Sequence, residues 1–412
     1  MIQINEARFI KDLEEQGRIG WKDDEGLFRE AYSENYIKLR NYVEEKMKQA
    51  GLKTWIDSVG NVFGRLEGKD LKAKTILMGS HLDAVKAGGI LDGAYGVMAG
   101  LEALRAIKES GELPIHSVEV VGFVAEEGGP LGGTFGSRSF TGQMETPPSE
   151  DVLKDFGLTK KDIASAKVDL NNYAAFIELH IEQGPVLWRK KNSIGIPTAI
   201  VGITRYKGCV LGESNHAGST PMHERKDALY QTIVLLHQWL DFMRAQNNMV
   251  CNVGYIDVDP GEIGIVPKKV EFGIEIRSTE KEKTQIAVDK LKEILSQAEI
   301  CTAKAELWVD KPAVKLNEKI VDAIEEACHE LNIYECLRMP SGASHDASPL
   351  ARVLPTGMIF VPSVNGISHN KEEFTNKDDL IKGVYVLAHT LLKLDAISVK
   401  GMLDANMRVC TA

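Results

Sequence analysis

Nearly continuous apolar runs alternate with amphipathic stretches along most of the chain. The runs Thr75–Met78, Val118–Ala125 and Ala174–Leu179 have the apolar density of strands buried on both faces of a parallel sheet. Pro197–Gly202 and Met358–Val361 predict two further strands. Lys53–Ile56 and Asn61–Leu66 alternate like strands around a Ser58-Val59-Gly60 turn. Helical spacing covers Asn5–Glu15, Ser33–Gly51, Val97–Glu109 and Glu318–Leu331, the second ending at a C-cap glycine. Strands and helices taken in turn predict an α/β domain.

From Tyr206 the texture changes. The pattern reads strand (Tyr206–Leu211), helix (Ala228–Ala245), strand (Met249–Val258), strand (Ile265–Arg277), helix (Glu280–Ala298), strand (Thr302–Val309). That β-α-β-β-α-β order is ferredoxin-like. After it the α/β pattern resumes. The expected organisation is a first domain of residues 1–204 and 315–412, with an α+β domain of residues 205–314 inserted.

Composition narrows the partners. A chain of 412 residues can bury a large core. Its net charge of -10 argues against nucleic acid, which calls for a basic face. No apolar run reaches the ~18 residues that span a bilayer. The start, Met1-Ile2-Gln3-Ile4-Asn5-Glu6, is polar and acidic rather than a signal peptide. Cysteines at 209, 251, 301, 328, 336 and 410 are scattered without a C-x-x-C pair, which reads as reduced thiols in a cytoplasm.

Candidate chemistry collects at strand ends. After Thr75–Met78 comes Gly79-Ser80-His81-Leu82-Asp83, then a glycine-rich loop that carries Asp92 in Gly88-Gly89-Ile90-Leu91-Asp92-Gly93. With the strand stopping at Gly79, His81 and Asp83 project from its C-terminal end, where α/β sheets place their chemistry. Imidazole and carboxylate together suit a borderline divalent ion such as zinc. Glu126-Glu127 follows Val118–Ala125, and adjacent side chains on extended backbone diverge. One carboxylate is then placed to ligate a metal and the other to carry a proton, although a solvated acidic strand end would look the same. Glu178-Leu179-His180-Ile181-Glu182-Gln183 and Gly366-Ile367-Ser368-His369 repeat the arrangement at two more strand ends. Together these ends offer His81, Asp92, a glutamate, His180 and His369, enough for two metals if Asp92 bridges.

These motifs, with Gly212-Glu213-Ser214-Asn215-His216-Ala217-Gly218-Ser219-Thr220-Pro221-Met222 and Ser341-Gly342-Ala343-Ser344-His345-Asp346-Ala347, resemble the M20-type metallohydrolases. Within them the likeness is to the hydantoinase/carbamoylase branch: N-carbamoyl-L-amino-acid hydrolases, allantoate amidohydrolases and β-ureidopropionases. The resemblance implies a metallopeptidase-like catalytic domain whose inserted ferredoxin-like domain acts as lid and dimerisation element. It implies two divalent ions per subunit (zinc, with manganese, cobalt or nickel also fitting) held by His81, Asp92, Glu127, His180 and His369, Asp92 bridging. His81 and His180 would serve one ion, Glu127 and His369 the other. Asp83 would orient His81 through its remaining ring nitrogen. Glu126 would be the general base, and Gln183, His216 and Arg277 would contact a small substrate bearing a carboxylate, with His216 stabilising the oxyanion. A homodimer is implied in which His216 serves the partner chain's site. The expected reaction is cleavage of a linear ureido or amide C–N bond, that of an N-carbamoyl-L-amino acid before that of allantoate. An aminoacylase or peptidase on the same scaffold, and a silent metal-binding assembly protein, are the rival readings. Three positions depart from the family pattern: Gly264 replaces an Asn, Ile203 a Gln and Ser344 a Gly. All three bear on substrate rather than on metal or base.

Overall fold

The computed structural model describes residues 2–396; Met1 and residues 397–412, with Cys410, lie outside the described residues. The chain forms two compact units, Ala199–Val314 and the segments on either side of it. The second unit begins before residue 205 because its first strand, Gly202–Leu211, starts four residues ahead of Tyr206. Gly202 to Arg205 already pair with Ser278 to Glu275.

At the centre of the first unit, four strands run parallel in the order Thr356–Val361, Tyr173–Ile181, Thr75–His81, Val118–Phe123. Each is buried along its whole length, which explains their apolar density. Val62–Leu66 and then Lys53–Ile56 extend one flank antiparallel. Ile194–Ile200 lies antiparallel to Thr356–Val361 on the other flank. Its ladder starts at Gly195, opposite Phe360, so the strand lies three residues ahead of the expected Pro197–Gly202. The helix Ala94–Glu109 is buried almost throughout, and its small residues Gly96, Ala99, Gly100 and Ala103 let it lie against the parallel strands. Helices Glu6–Gly17 and Lys377–Ala396 pack beside it. Because the four central strands are parallel, their C-terminal ends share one edge of the sheet.

The second unit holds, among the described residues, a four-stranded antiparallel sheet in the order Met249–Asp259, Lys269–Ser278, Gly202–Leu211, Thr302–Lys311. Helices Ala228–Arg244 and Lys281–Ser296 complete the ferredoxin-like order. Tyr206, Val210, Trp239, Phe272, Ile274, Ile276 and Leu291 belong to its core. The buried Trp239 indole donates to the carbonyl of Ala287, 3.1 Å away, which joins the two helices. The strand expected from Ile265 starts at Lys269, because residues 260–268 form a loop whose Val266 N–H is drawn to Asn215.

Candidate metal centre

His81 is the last residue of its strand, which continues past Gly79 because Ser80 and His81 still pair with Gly122 and Phe123. His180 sits one residue before the end of Tyr173–Ile181. Asp92 comes from the loop after His81's own strand, and Glu126, Glu127 and His369 from loops that follow Val118–Phe123 and Thr356–Val361. Asp92 is where they meet. Its Oδ1 lies 3.1 Å from Nε2 of His180 and 3.6 Å from Nε2 of His81. Its Oδ2 lies 3.2 Å from Nε2 of His369, which is 3.4 Å from Oε2 of Glu127. The two histidine Nε2 atoms of the first trio are 3.5 Å apart. His81–Asp92–His180 and Asp92–Glu127–His369 are thus two trios sharing one carboxylate.

The backbone sets both rings. Nδ1 of His81 lies 2.9 Å from the carbonyl of Asp83, and Nδ1 of His180 lies 2.8 Å from that of Ile181. With Nδ1–H donated to a carbonyl, each neutral ring keeps its Nε2 lone pair for Asp92's side, the tautomer a metal ligand needs. Gly93 N–H, 3.3 Å from Nε2 of His180, fits the same assignment. Gly93 itself has φ of 66°, and a Cβ there would run into the His81 ring. The Asp83 carboxylate is not the main partner of His81, being 3.9 Å from its Nδ1. It instead accepts the backbone N–H groups of Glu126 and Glu127, each at 3.1 Å. Asp83 therefore fixes the segment carrying the two glutamates, while its own carbonyl orients the histidine.

Burial raises the Glu126 and Glu127 carboxyls well above the ordinary range, with neighbouring carboxylates adding to the effect. Asp92 goes the other way: burial opposes its ionisation, but the three imidazoles around it, those of His180, His369 and His81, prevail and hold it well below. His369 is pushed up to about 9, chiefly by Asp92. Nearby, the fully buried Arg29 is pulled down to about 10 by burial, against the field of Asp83, Glu373 and Asp92. So dense a set of carboxylates attracts positive charge, as protons or as a cation. Two oxygens of these trios remain unanswered: Asp92 Oδ1 and Glu127 Oε1 are buried without a hydrogen bond. A buried carboxylate oxygen left so is costly unless something else neutralises it.

Gln183 joins the same centre. Its Nε2 donates to Asp92 Oδ2 at 2.9 Å and lies 3.2 Å from Nε2 of His369. Gln183, His369 and Ala125, which precedes Glu126, all have positive φ, at 57°, 54° and 55°. Left-handed backbone at non-glycine residues is held against its preference, and it gathers at functional sites.

His216 and Arg277 belong to the second unit. His216 is exposed in its loop, and its Nδ1 accepts the N–H groups of Gly218 and Ser219 at 3.0 and 3.2 Å. That leaves the proton of the neutral ring on Nε2, the opposite tautomer to His81 and His180, so His216 presents a donor. Arg277 donates from Nε to Glu275 at 2.6 Å, and Glu275 also holds Arg205. Ile203 is the cross-strand neighbour of Arg277. The Gly264 carbonyl accepts Ala217 N–H, next to His216.

The sequence profile of peptidase family M20/M25/M40 matches residues 77–393. The chain belongs to that family. It is 35% identical over 405 residues to the N-carbamoyl-L-amino-acid amidohydrolase of Paenarthrobacter aurescens, covering 94% of this chain and 98% of the relative. The allantoate amidohydrolase of Escherichia coli (strain K12) is also 35% identical, over 384 residues, with 90% and 93% covered. An amidase of the hydantoinase/carbamoylase family from Burkholderia multivorans superposes with a TM-score of 0.85 at 29% identity, over 96% of this chain and 98% of that one. This M20 protein is a hydrolase of the carbamoylase/allantoate amidohydrolase type. M20 enzymes use divalent metals, and the two trios on Asp92 are groups able to hold them.

Sequence reasoning assigned no role to several residues of this M20 centre. Glu178, two before His180, accepts Ser80 Oγ and Ala347 N–H, each at 2.7 Å. His345 packs its ring on that of His180, centroids 4.6 Å apart, with Nε2 2.9 Å from Ser341 Oγ. Glu178, His180 and His345 form a third trio, but both oxygens of Glu178 are already engaged, unlike those of the trios on Asp92. Asp346 accepts from Ser137 Oγ at 2.5 Å, and Glu373 lies four residues after His369. The i−2 placement of Glu178 on an alternating strand was the available signal, since it puts both side chains on one face.

Proposed function

We propose that this M20 hydrolase is a two-cation amidohydrolase that cleaves a linear ureido C–N bond, first that of an N-carbamoyl-L-amino acid or a related ureido acid. The observation that carries this reading is the pair of unanswered buried oxygens, Asp92 Oδ1 and Glu127 Oε1, within trios of histidines and carboxylates. Residues of this kind fit divalent ions, zinc foremost and manganese, cobalt or nickel also. His81 and His180 would hold one ion, Glu127 and His369 the other, with Asp92 between them. Bound ions would polarise the scissile carbonyl and bring the pKa of an attacking water towards ~7.

The chain's own groups do the rest. Glu126, buried and with its backbone N–H fixed by Asp83, takes the proton of the attacking water and returns it to the leaving nitrogen, a role worth roughly 10²–10⁴-fold. Its raised pKa suits it to both halves of that transfer. Gln183 binds the substrate beside Asp92 and His369. His216 donates Nε2–H to the developing oxyanion. Arg277 offers a planar fork to the substrate carboxylate. An N-carbamoyl amino acid would give the amino acid, ammonia and carbon dioxide. We place the enzyme in the cytoplasm; among the described residues no helix is long and apolar enough to cross a membrane.

We further propose a homodimer through the second unit, with His216 of each chain serving the other's site. The sheet edge at Met249–Asp259 is open to pairing and carries exposed Val250, Tyr255 and Ile256. Allantoate is the second substrate reading, supported by the equal 35% identity to relatives named for the two activities. A panel of N-carbamoyl, N-acetyl and ureido compounds, run with each metal, separates the readings. Ammonia from N-carbamoyl substrates supports the first. Ammonia from allantoate alone selects the second. Acetate from N-acetyl compounds makes the protein an aminoacylase.

A further inference from the structure

Glu373 is buried, and its side chain spans two of the loops that make the centre. Its Oε1 accepts the N–H groups of Leu91 and Asp92, at 3.0 and 3.1 Å. Its Oε2 accepts the hydroxyl of Ser368 at 2.8 Å, and Ser368 is bonded directly to His369. A tight turn closes the segment between His369 and Glu373, the N–H of Glu373 meeting the carbonyl of Asn370 at 3.0 Å. The opposing loop is cut to receive it: a Cβ at Gly89 would collide with the Glu373 carboxylate. Asp83 grips the other side of the centre in the same manner, one carboxylate across two consecutive N–H groups, the second belonging to Glu127.

We propose that Glu373 is a positioning residue that sets the spacing between Asp92 and His369, and so the affinity of the cation they share. The inference rests on the two-cation reading above. Asp92 reaches both trios, so a shift of its backbone moves ligand atoms in each. His369 is half exposed and sits on left-handed backbone, so its loop needs an anchor, and the described contacts supply Ser368 and Glu373. Metal sites lose affinity when such supports are removed because ligand geometry must hold to roughly half an ångström.

The test is Zn²⁺ titration of chelator-stripped protein against a chromogenic competitor, with ions counted by elemental analysis and folding followed by melting temperature. Glu373→Ala should weaken binding of the Asp92–His369 ion by about 10- to 100-fold, the usual cost of losing such a support. Glu373→Gln should stay within about threefold, since its carbonyl still accepts both N–H groups and its amide can donate to Ser368. Gly89→Ala, which displaces the carboxylate without touching it chemically, should match the alanine variant. A folded Glu373→Ala protein with wild-type affinity overturns the proposal, even if its melting temperature drops, because a purely structural role would move only the latter. If Glu373→Ala does not fold, Ser368→Ala decides: weaker Zn²⁺ binding in a folded protein supports the link to His369, and unchanged binding overturns it. Wild-type protein holding one Zn²⁺ overturns the two-cation reading instead, and the same variants then decide whether Glu373 positions that one site.

Discussion

His81, Asp92 and His180 are no more than 3% exposed, and backbone groups fix their rings and the loops that carry them. His216, by contrast, stands exposed on a loop of small residues, and Arg277 is partly exposed beside Glu275. The difference is instructive. In the buried centre each polar atom needs a specific partner, so a change at one position propagates to its neighbours. On the exposed loops a side chain can change at little cost to the fold. Two of the three departures from the family pattern fall in the second unit, Gly264 in an exposed loop and Ile203 buried on its first strand. On the function proposed above, the chemistry is built into one unit and two of the positions that bear on substrate lie in the other.

The contrast is broken most severely at Asp92. Asp92→Ala removes the carboxylate common to both trios and should abolish both metal binding and activity, measured by elemental analysis and ammonia release. Fully active protein with a single tightly held ion would show that the trios do not act as a pair. Glu126→Gln comes next. It keeps the side chain's shape but cannot take a proton, so kcat should fall by about 10²–10⁴-fold with metal content unchanged. A fall of less than about tenfold would assign the base elsewhere.

That His81, Asp92, Glu127, His180 and His369 come together was readable because apolar strand runs locate the sheet edge, and polar residues just beyond such runs have few other reasons to be there. The ferredoxin-like order was readable for the same reason, as strand and helix periods differ. Strand limits were not, since pairing continued Thr75–His81 two residues past Gly79. A spacing of two pointed to Asp83 as the residue that orients His81, but not to the atom that does so: the backbone carbonyl is nearer than the carboxylate. Glu373 gave no local signal: it acts on Asp92 across 281 positions of sequence. Tautomers, too, depend on which backbone groups face a ring, which periodicity does not encode.

His216 offers a direct way to sharpen the comparison. Loss of a well-aimed oxyanion donor costs roughly 10²–10³-fold in kcat, so His216→Ala should fall that far without losing metal. Under the dimer proposal, His216→Ala and Glu126→Ala chains, each inactive as homodimers, should complement after dissociation and reassociation. Random pairing makes about half the dimers mixed with one intact site each, so up to about a quarter of wild-type activity should return. Verified heterodimers that stay inactive would place His216 in its own chain's chemistry.

The smallest expected effect concerns Gly264. A side chain there meets nothing within 4 Å, and its φ lies outside the left-handed region, so an asparagine fits without strain. Its neighbours explain why it should matter: the Gly264 carbonyl takes the N–H of Ala217, directly after His216, so a carboxamide on this residue would stand beside the proposed oxyanion donor. Hydrogen bonds to a buried polar group of a substrate carry large discrimination, and a site lacking them accepts other compounds more readily. We therefore expect Gly264→Asn to raise kcat/KM on standard N-carbamoyl amino acids by about tenfold, with little change in melting temperature. Lacking that contact, the wild type should turn over simple N-carbamoyl amino acids less efficiently than a related ureido acid that does not need it. Steady-state kinetics on N-carbamoyl-methionine and allantoate, for both proteins, decides the matter. A wild type already efficient on N-carbamoyl-methionine, with no gain in the variant, would mean that the missing asparagine leaves specificity untouched, and the second unit's departures would then need another explanation than substrate choice.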